Sequence, residues 1–207
     1  MIIGTIASGV GVATTFNLTY LPQTLAAINS GFLQSLKVEV LGVGVILDLN
    51  AANLKAFSNL GLLGVVTNGW AISLSDGLLT NKNVTITAVN GVAAAYTLYG
   101  YSQNRGSMYL RTVQAVAQAN TGIDINNFLA AMFPEAASTD EFNVTFADGT
   151  VQKFTVPELP FLLTQTSGAN LNTVSDQVID NRFQTISNIN YLPVAQRTIA
   201  YSTLIRA

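Results

Sequence analysis

In the segment Phe142–Glu158, FNVTFADGTVQKFTVPE, the apolar residues Phe142, Val144 and Phe146 alternate with Asn143, Thr145 and Ala147. That is the period of a strand with one buried face. Asp148-Gly149 then turns the chain, and the facing of the aromatic residues decides the length of the loop. A two-residue loop would pair Phe146 with Val151 but set Phe154 opposite Asn143. A three-residue loop, Ala147-Asp148-Gly149, pairs Phe142 with Phe154 on one face. The pattern therefore predicts a type I turn with Gly149 in the left-handed region as a bulge. Beyond the hairpin, Thr155-Val156-Pro157-Glu158 has the spacing of a capping box, and Pro160 limits any helix there to about one turn.

The rest of the chain reads as more of the same kind of element. Ala13–Tyr20 alternates as a first strand. Leu21-Pro22-Gln23 opens a pattern in which Leu21, Leu25 and Ile28 recur at helical spacing before Gly31, which predicts a short helix. Leu36–Val40 and Val45–Leu49 are strands divided by a bend or bulge at Gly42-Val43-Gly44. Asn50 is placed to cap a helix carrying Leu54, Phe57 and Leu60, with Gly61 at its end. Asn68-Gly69 and Asp76-Gly77 are turn signals around a strand with Trp70, Ile72 and Leu74 on one face.

Asn83–Asn90 and Ala93–Ser102 are strands joined at Asn90-Gly91, and they are expected to form a second hairpin. Ser107–Gln118 fits either periodicity and is read as a strand, because Tyr, Thr and Val cluster there. Asp124–Phe133 is expected to be a helix with Ile125, Phe128, Leu129 and Met132 on one side and Pro134 as its stop. Leu171–Ile189 admits both readings. Arg197–Ile205 alternates as the last strand. The fold class is all-β: a jelly roll or β-sandwich of about eight to ten strands with short helices in the connections. At 207 residues one domain is expected, residues 1–207, with residues 1–12 as an apolar N-terminal arm.

Charged residues are 10% of the chain, against about 25% in ordinary soluble domains. Asn, Thr, Ser, Gln and Gly supply the polarity, so the surface is largely uncharged. With a formal charge of −2, little keeps copies apart, and assembly is the leading inference. No two of the nine basic residues lie within three positions of each other, so a phosphate-binding tract is absent from the sequence. Met1–Val12 lacks a basic n-region and is shorter than the roughly twenty residues of a membrane span. It reads as neither a signal peptide nor a transmembrane helix.

There is no histidine and no cysteine. The usual base for a serine nucleophile, a thiol nucleophile and Cys/His zinc sites are all missing. Asp48-Leu49-Asn50 and Asp124-Ile125-Asn126 lack the glycine and terminal glutamate of a calcium loop. Gly42-Val43-Gly44 lacks the third glycine and following helix of a dinucleotide site. Nothing selects a carboxylate pair from the eleven acids. The chain is accordingly read as no enzyme, with no cofactor, metal or small-molecule substrate. Three N-x-T triplets, Asn17-Leu18-Thr19, Asn83-Val84-Thr85 and Asn143-Val144-Thr145, match a glycosylation acceptor, but the same spacing also writes a half-buried strand.

Hairpins such as Val144–Thr150 and the strands around Asn83–Tyr101, with few charges and no Cys or His, give a pattern that resembles the jelly-roll capsid proteins of tailless icosahedral bacteriophages. The resemblance runs over most of the chain and carries no specific motif. It implies a single jelly roll in a protein shell, a structural virion protein that self-assembles through large uncharged surfaces and contacts copies of itself and other virion proteins. The absence of a basic arm departs from capsid proteins that neutralise a genome directly. This implies another layer beneath the shell, such as an inner membrane or another protein, and no direct nucleic-acid contact. Ile2, Ile3, Ile6, Leu204 and Ile205 are the expected assembly contacts. The alternative is a receptor- or carbohydrate-binding β-sandwich, such as a spike, fibre or adhesin module using tyrosines and amides; an enzyme comes third.

Overall fold

A computed structural model describes residues 1–28, 33–50, 64–66, 69–74, 81–102, 108–133, 136–159, 178–181 and 185–206. The helix expected after Asn50, the Asp76-Gly77 turn, Asn68, and the stretch from Leu171 to Gln177 lie outside these residues. Among the described residues there are seventeen strands in four sheets. The sequence was read as one domain of residues 1–207; by its internal contacts the chain divides into two compact units, Met1–Thr112 with Arg206–Ala207, and Val113–Ile205.

The first nine strands are β1 (Ile2–Ile6), β2 (Ala13–Leu18), β3 (Thr24–Ile28), β4 (Leu33–Val40), β5 (Gly44–Asn50), β6 (Gly64–Val66), β7 (Gly69–Ser73), β8 (Val84–Asn90) and β9 (Tyr96–Tyr101). Antiparallel pairs nest inside one another: β4 with β5, β3 with β7, β2 with β8, and β1 with β9. This is one long ribbon rolled into two sheets, β1-β9-β3-β7-β6 and β2-β8-β4-β5. The remaining strands are β10 (Met108–Ala117), β11 (Ile123–Asn126), β12 (Ala130–Met132), β13 (Glu141–Phe146), β14 (Val151–Thr155), β15 (Val178–Asp180), β16 (Ile186–Leu192) and β17 (Arg197–Arg206). Their sheets, β10-β17-β12-β15 and β11-β16-β13-β14, repeat the same nesting. Apart from the short edge strand β6, the order is that of a jelly roll, written twice. The expected fold class holds, while the strand number is nearly double the expected one.

The hairpin that organised the sequence reading has the expected register. Phe142 lies opposite Phe154, Gly149 has φ 86°, and Gly149 N donates to Phe146 O at 3.0 Å while Phe146 N donates to Thr150 O at 2.8 Å. Thr155 N and Thr155 Oγ1 donate to the Glu158 carboxylate at 2.7 and 2.8 Å, closing the box ahead of a single 3-10 turn, Val156–Glu158. Within the stretch Ser107–Gln118, Met108–Ala117 is a strand, as read.

Three expectations are corrected. The helix from Leu21 to Ile28 is β3, a central strand bonded to β9 and β7 on its two edges. The helix Asp124–Phe133 is two strands, β11 and β12, separated by a turn in which Asn127 has φ 55°. The strands on either side of Asn90-Gly91 do not pair with each other, since β8 bonds β2 and β4 while β9 bonds β1 and β3. The cause of the last is visible at Asn90, which is fully buried. Its Nδ2 donates to Ala7 O at 2.7 Å and Ala94 O at 3.0 Å, and its Oδ1 accepts from Val92 N at 3.0 Å. The amide thereby ties the β1–β2 and β8–β9 connections together where the chain crosses between sheets. An Asn-Gly pair whose side chain serves two connections is not free to make a tight hairpin.

The first unit's core is mostly aliphatic, built from Ile6, Leu25, Leu36, Val38, Leu47, Leu49, Ile72, Ile86 and Leu98. The second is aromatic at its centre: Phe133 meets Phe142 edge-on at 4.9 Å and stacks with Tyr191 and Tyr201 at 5.7 and 5.9 Å. Arrangements of this kind add about 0.5–1.5 kcal/mol per pair beyond area burial. Buried Asp140 anchors this core's polar edge, accepting from Tyr191 Oη at 2.5 Å, Ala137 N at 2.8 Å, Val194 N at 3.1 Å and Arg197 Nη2 at 3.2 Å.

Candidate assembly surfaces

Two kinds of surface remain after the cores are filled. One is the N-terminal edge. Strand β1 closes one side of its sheet on β9, with Met1 N donating to Gly100 O at 2.8 Å and Gly100 N donating to Met1 O at 2.9 Å. Within the N-terminal stretch 1–12, Ile2–Ile6 is thus an edge strand of its own unit's sheet. Met1 and Ile2 still project into solvent, as do Val10 and Val12 in the following connection.

The other kind is the open face of the β2-β8-β4-β5 and β11-β16-β13-β14 sheets. In the first unit, register aligns Asn17, Thr85, Glu39 and Val45 in one cross-strand row and Thr15, Thr87, Lys37 and Asp48 in the next. Thr85 Oγ1 donates to Asn17 Oδ1 at 3.2 Å, and Lys37 pairs with Glu39 at 3.6 Å. The triplets Asn17–Thr19 and Asn83–Thr85 lie on neighbouring antiparallel strands, with Asn17 opposite Thr85 and Leu18 opposite Val84. An amide on one strand therefore faces a hydroxyl on the other, which supports the strand reading of the recurrence.

In the second unit the rows are Asn126, Asn188, Thr145, Val151 and Asp124, Asn190, Asn143, Lys153. Asn188 Nδ2 donates to Asn126 Oδ1 at 2.8 Å, Asn190 Nδ2 to Asp124 Oδ1 at 2.9 Å, and Lys153 Nζ to Glu141 Oε2 at 2.9 Å. The polar groups satisfy one another sideways, so a partner laid on this face need not replace every hydrogen bond it removes from water. Open clefts of about 380 and 390 Å³ lie beside the β4–β5 and β13–β14 hairpins, one bordered by Asn17, Glu39, Leu41 and Asn83, the other by Phe146, Asp148, Gln152 and Thr185. Leu41 and Val43 are exposed at the first of these hairpin tips.

The five residues expected to make assembly contacts are not brought together. Ile2 is exposed and Ile3 half-buried, against Gly100. Ile6 is wholly buried in its own unit's core, which removes it from the contact set, because a residue facing inward cannot touch a neighbour. Leu204 lies on β17 opposite Ala130, and Ile205 is half-buried. The amide rows were missed as a surface. Their signal was present in the N-x-T spacing, whose outward residues were read one strand at a time.

Among the described residues no group of three or more acidic, histidine or cysteine side chains is placed to hold a metal ion, and no helix is long and apolar enough to cross a membrane. No protein-family model and no curated protein matches the sequence. Solved structures do match. A chain from the atomic structure of Sulfolobus Turreted Icosahedral Virus aligns over 97% of this chain and 87% of its own length, at 11% identity and TM-score 0.50. The major capsid protein P2 of bacteriophage PM2 aligns over 99% and 96%, at 10% identity and TM-score 0.48. The fold is therefore of the jelly-roll type found in a chain of an icosahedral virus, and both units take part in the likeness.

Proposed function

We propose that this chain is a structural subunit of a virion shell, acting by contact with copies of itself and with other virion proteins rather than by turnover. The observation that carries the reading is the likeness along nearly the whole length of both chains to a chain of an icosahedral virus. A surface with few charges, and open sheet faces whose amides are already paired, fit a protein that is meant to be covered. The contacts are expected to be large and uncharged. The exposed Met1, Ile2, Val10 and Val12 are candidates to meet a neighbouring subunit or an inner membrane surface, and direct nucleic-acid binding is not expected from so scattered a set of basic residues.

The test is mass measurement on concentrated protein, followed by electron microscopy of any particles. Large regular particles support the reading, and a monodisperse monomer at high concentration overturns it. Ile2→Asp separates assembly from folding: at this exposed position the fold should survive while particle yield falls. At Ile6 the same change should unfold the first unit instead.

A further inference from the structure

The open face of the second unit carries opposite charges at its two edges in a single cross-strand row. Asp124 stands on β11, one edge of the sheet, and Lys153 on β14, the other, with the uncharged amides of Asn190 and Asn143 between them. Asp124 is exposed, and the Lys153 side chain is 59% exposed. A half-turn about an axis lying in the plane of contact and parallel to the strands reverses the strand order across the face but keeps each row in place. It sets Asp124 of one copy over Lys153 of the other, and Lys153 over Asp124. That row is thus complementary to itself under the symmetry of a two-fold contact. The first unit's corresponding row, Thr15, Thr87, Lys37, Asp48, lacks this property, because its charges are neighbours and the same operation lays Thr15 over Asp48.

We infer that the β11-β16-β13-β14 face is a two-fold contact between copies of this chain, joined by reciprocal Asp124–Lys153 pairs across the uncharged amides between them. This rests on the reading that the chain assembles, and it specifies one of the contacts. Four strands of about five residues give a face of roughly 350 Å², well under the about 800 Å² per partner of a self-sufficient interface. The contact is therefore weak alone and belongs in an array where other contacts hold the copies.

Zero-length carbodiimide cross-linking of assembled or concentrated protein, with peptide mapping, tests it. Within one chain Asp124 and Lys153 are three strand spacings apart, about 14 Å, too far to link, so an Asp124–Lys153 peptide reports two copies. The Lys153–Glu141 pair, at 2.9 Å in the same chain, is an internal control. The expected result is both linkages in the assembled sample and only the Lys153–Glu141 linkage in dilute monomer. Asp124→Lys should cut the intermolecular linkage at least tenfold, and adding Lys153→Glu should restore it with the roles reversed. Assembly with the control linkage but no Asp124–Lys153 linkage overturns the contact and leaves the shell reading standing. Absence of assembly under every condition overturns both.

Discussion

Strands β8 and β13, on the open sheets, and strands β3 and β12, on the other two, differ in one physical respect. Along β8 burial alternates strictly from Val84 to Asn90, and along most of β13 it does the same. In β3 the successive residues Leu25, Ala26 and Ala27 are all buried, as are Ala130, Ala131 and Met132 in β12. A strand with one wet face writes its period into the sequence, whereas a strand covered on both faces has no polar residues to mark one. Both covered central strands fall in segments whose apolar spacing predicts a helix, with alanine and leucine favouring that reading locally; β11, in the second of these segments, alternates but is only four residues long. Both occupy the third place in the order of their jelly roll.

The same contrast explains what else was legible. The hairpin Phe142–Thr155 could be read to the residue because the facing of two phenylalanines and the need for Gly149 at positive φ are both local facts. The pairing of β8 and β9 was misread because their adjacency in sequence says nothing of which sheet each enters, and the deciding contacts of Asn90 reach back to Ala7. The duplication was invisible for a related reason: the two units share strand order but one core is aliphatic and the other aromatic. The assembly residues were sought at the apolar ends, while the paired amides of the open faces have a polar signal that looks like ordinary strand surface.

The largest test of the comparison places a carboxylate on each kind of strand. Ala131→Asp buries an unpaired charge between two covered faces and should cost about 4 kcal/mol or more, enough to leave the second unit unfolded. Asn126→Asp, on an exposed position of β11, should change stability by no more than about 0.5 kcal/mol. Urea unfolding followed by tryptophan-independent far-ultraviolet dichroism measures both. Similar losses at the two positions would mean that the open face is not open.

An intermediate effect of opposite sign is expected at Tyr96, on β9. Among the described residues its Oη is the one buried side-chain polar atom without a hydrogen-bond partner, and burial pushes its ionisation above the ordinary tyrosine range. Removing the hydroxyl removes a polar group that lost water without gaining a bond. Tyr96→Phe should therefore stabilise the first unit by about 1 kcal/mol, seen as a higher urea midpoint at unchanged slope. A fall in stability of that size would show that the hydroxyl has a partner in the folded protein. The buried core would then satisfy its polar groups as fully as the open faces do.

The smallest effect belongs to the exposed hairpin turn. Asp148 accepts from Thr150 N at 2.9 Å and Thr150 Oγ1 at 2.7 Å, and the backbone bond first, then the hydroxyl bond, hold its carboxyl below the ordinary range. Glu158 is lowered in the same way by Thr155 N and then Thr155 Oγ1. A carboxyl whose folded pKa is depressed contributes stability that is fully present above the unfolded value, about 4, and is lost as pH falls through the folded one. The turn should therefore hold unchanged from neutral pH down to about 4 and loosen only below it, with amide exchange at Gly149 and Thr150 rising there. Asp148→Asn keeps an acceptor oxygen but removes the charge, so it should flatten that acid dependence while leaving the register of Phe142 and Phe154 intact. If exchange instead rises between pH 7 and 5, where neither carboxyl changes charge, the turn is governed by something other than its aspartate, and solvent-facing polar pairs in this protein count for less than their geometry implies.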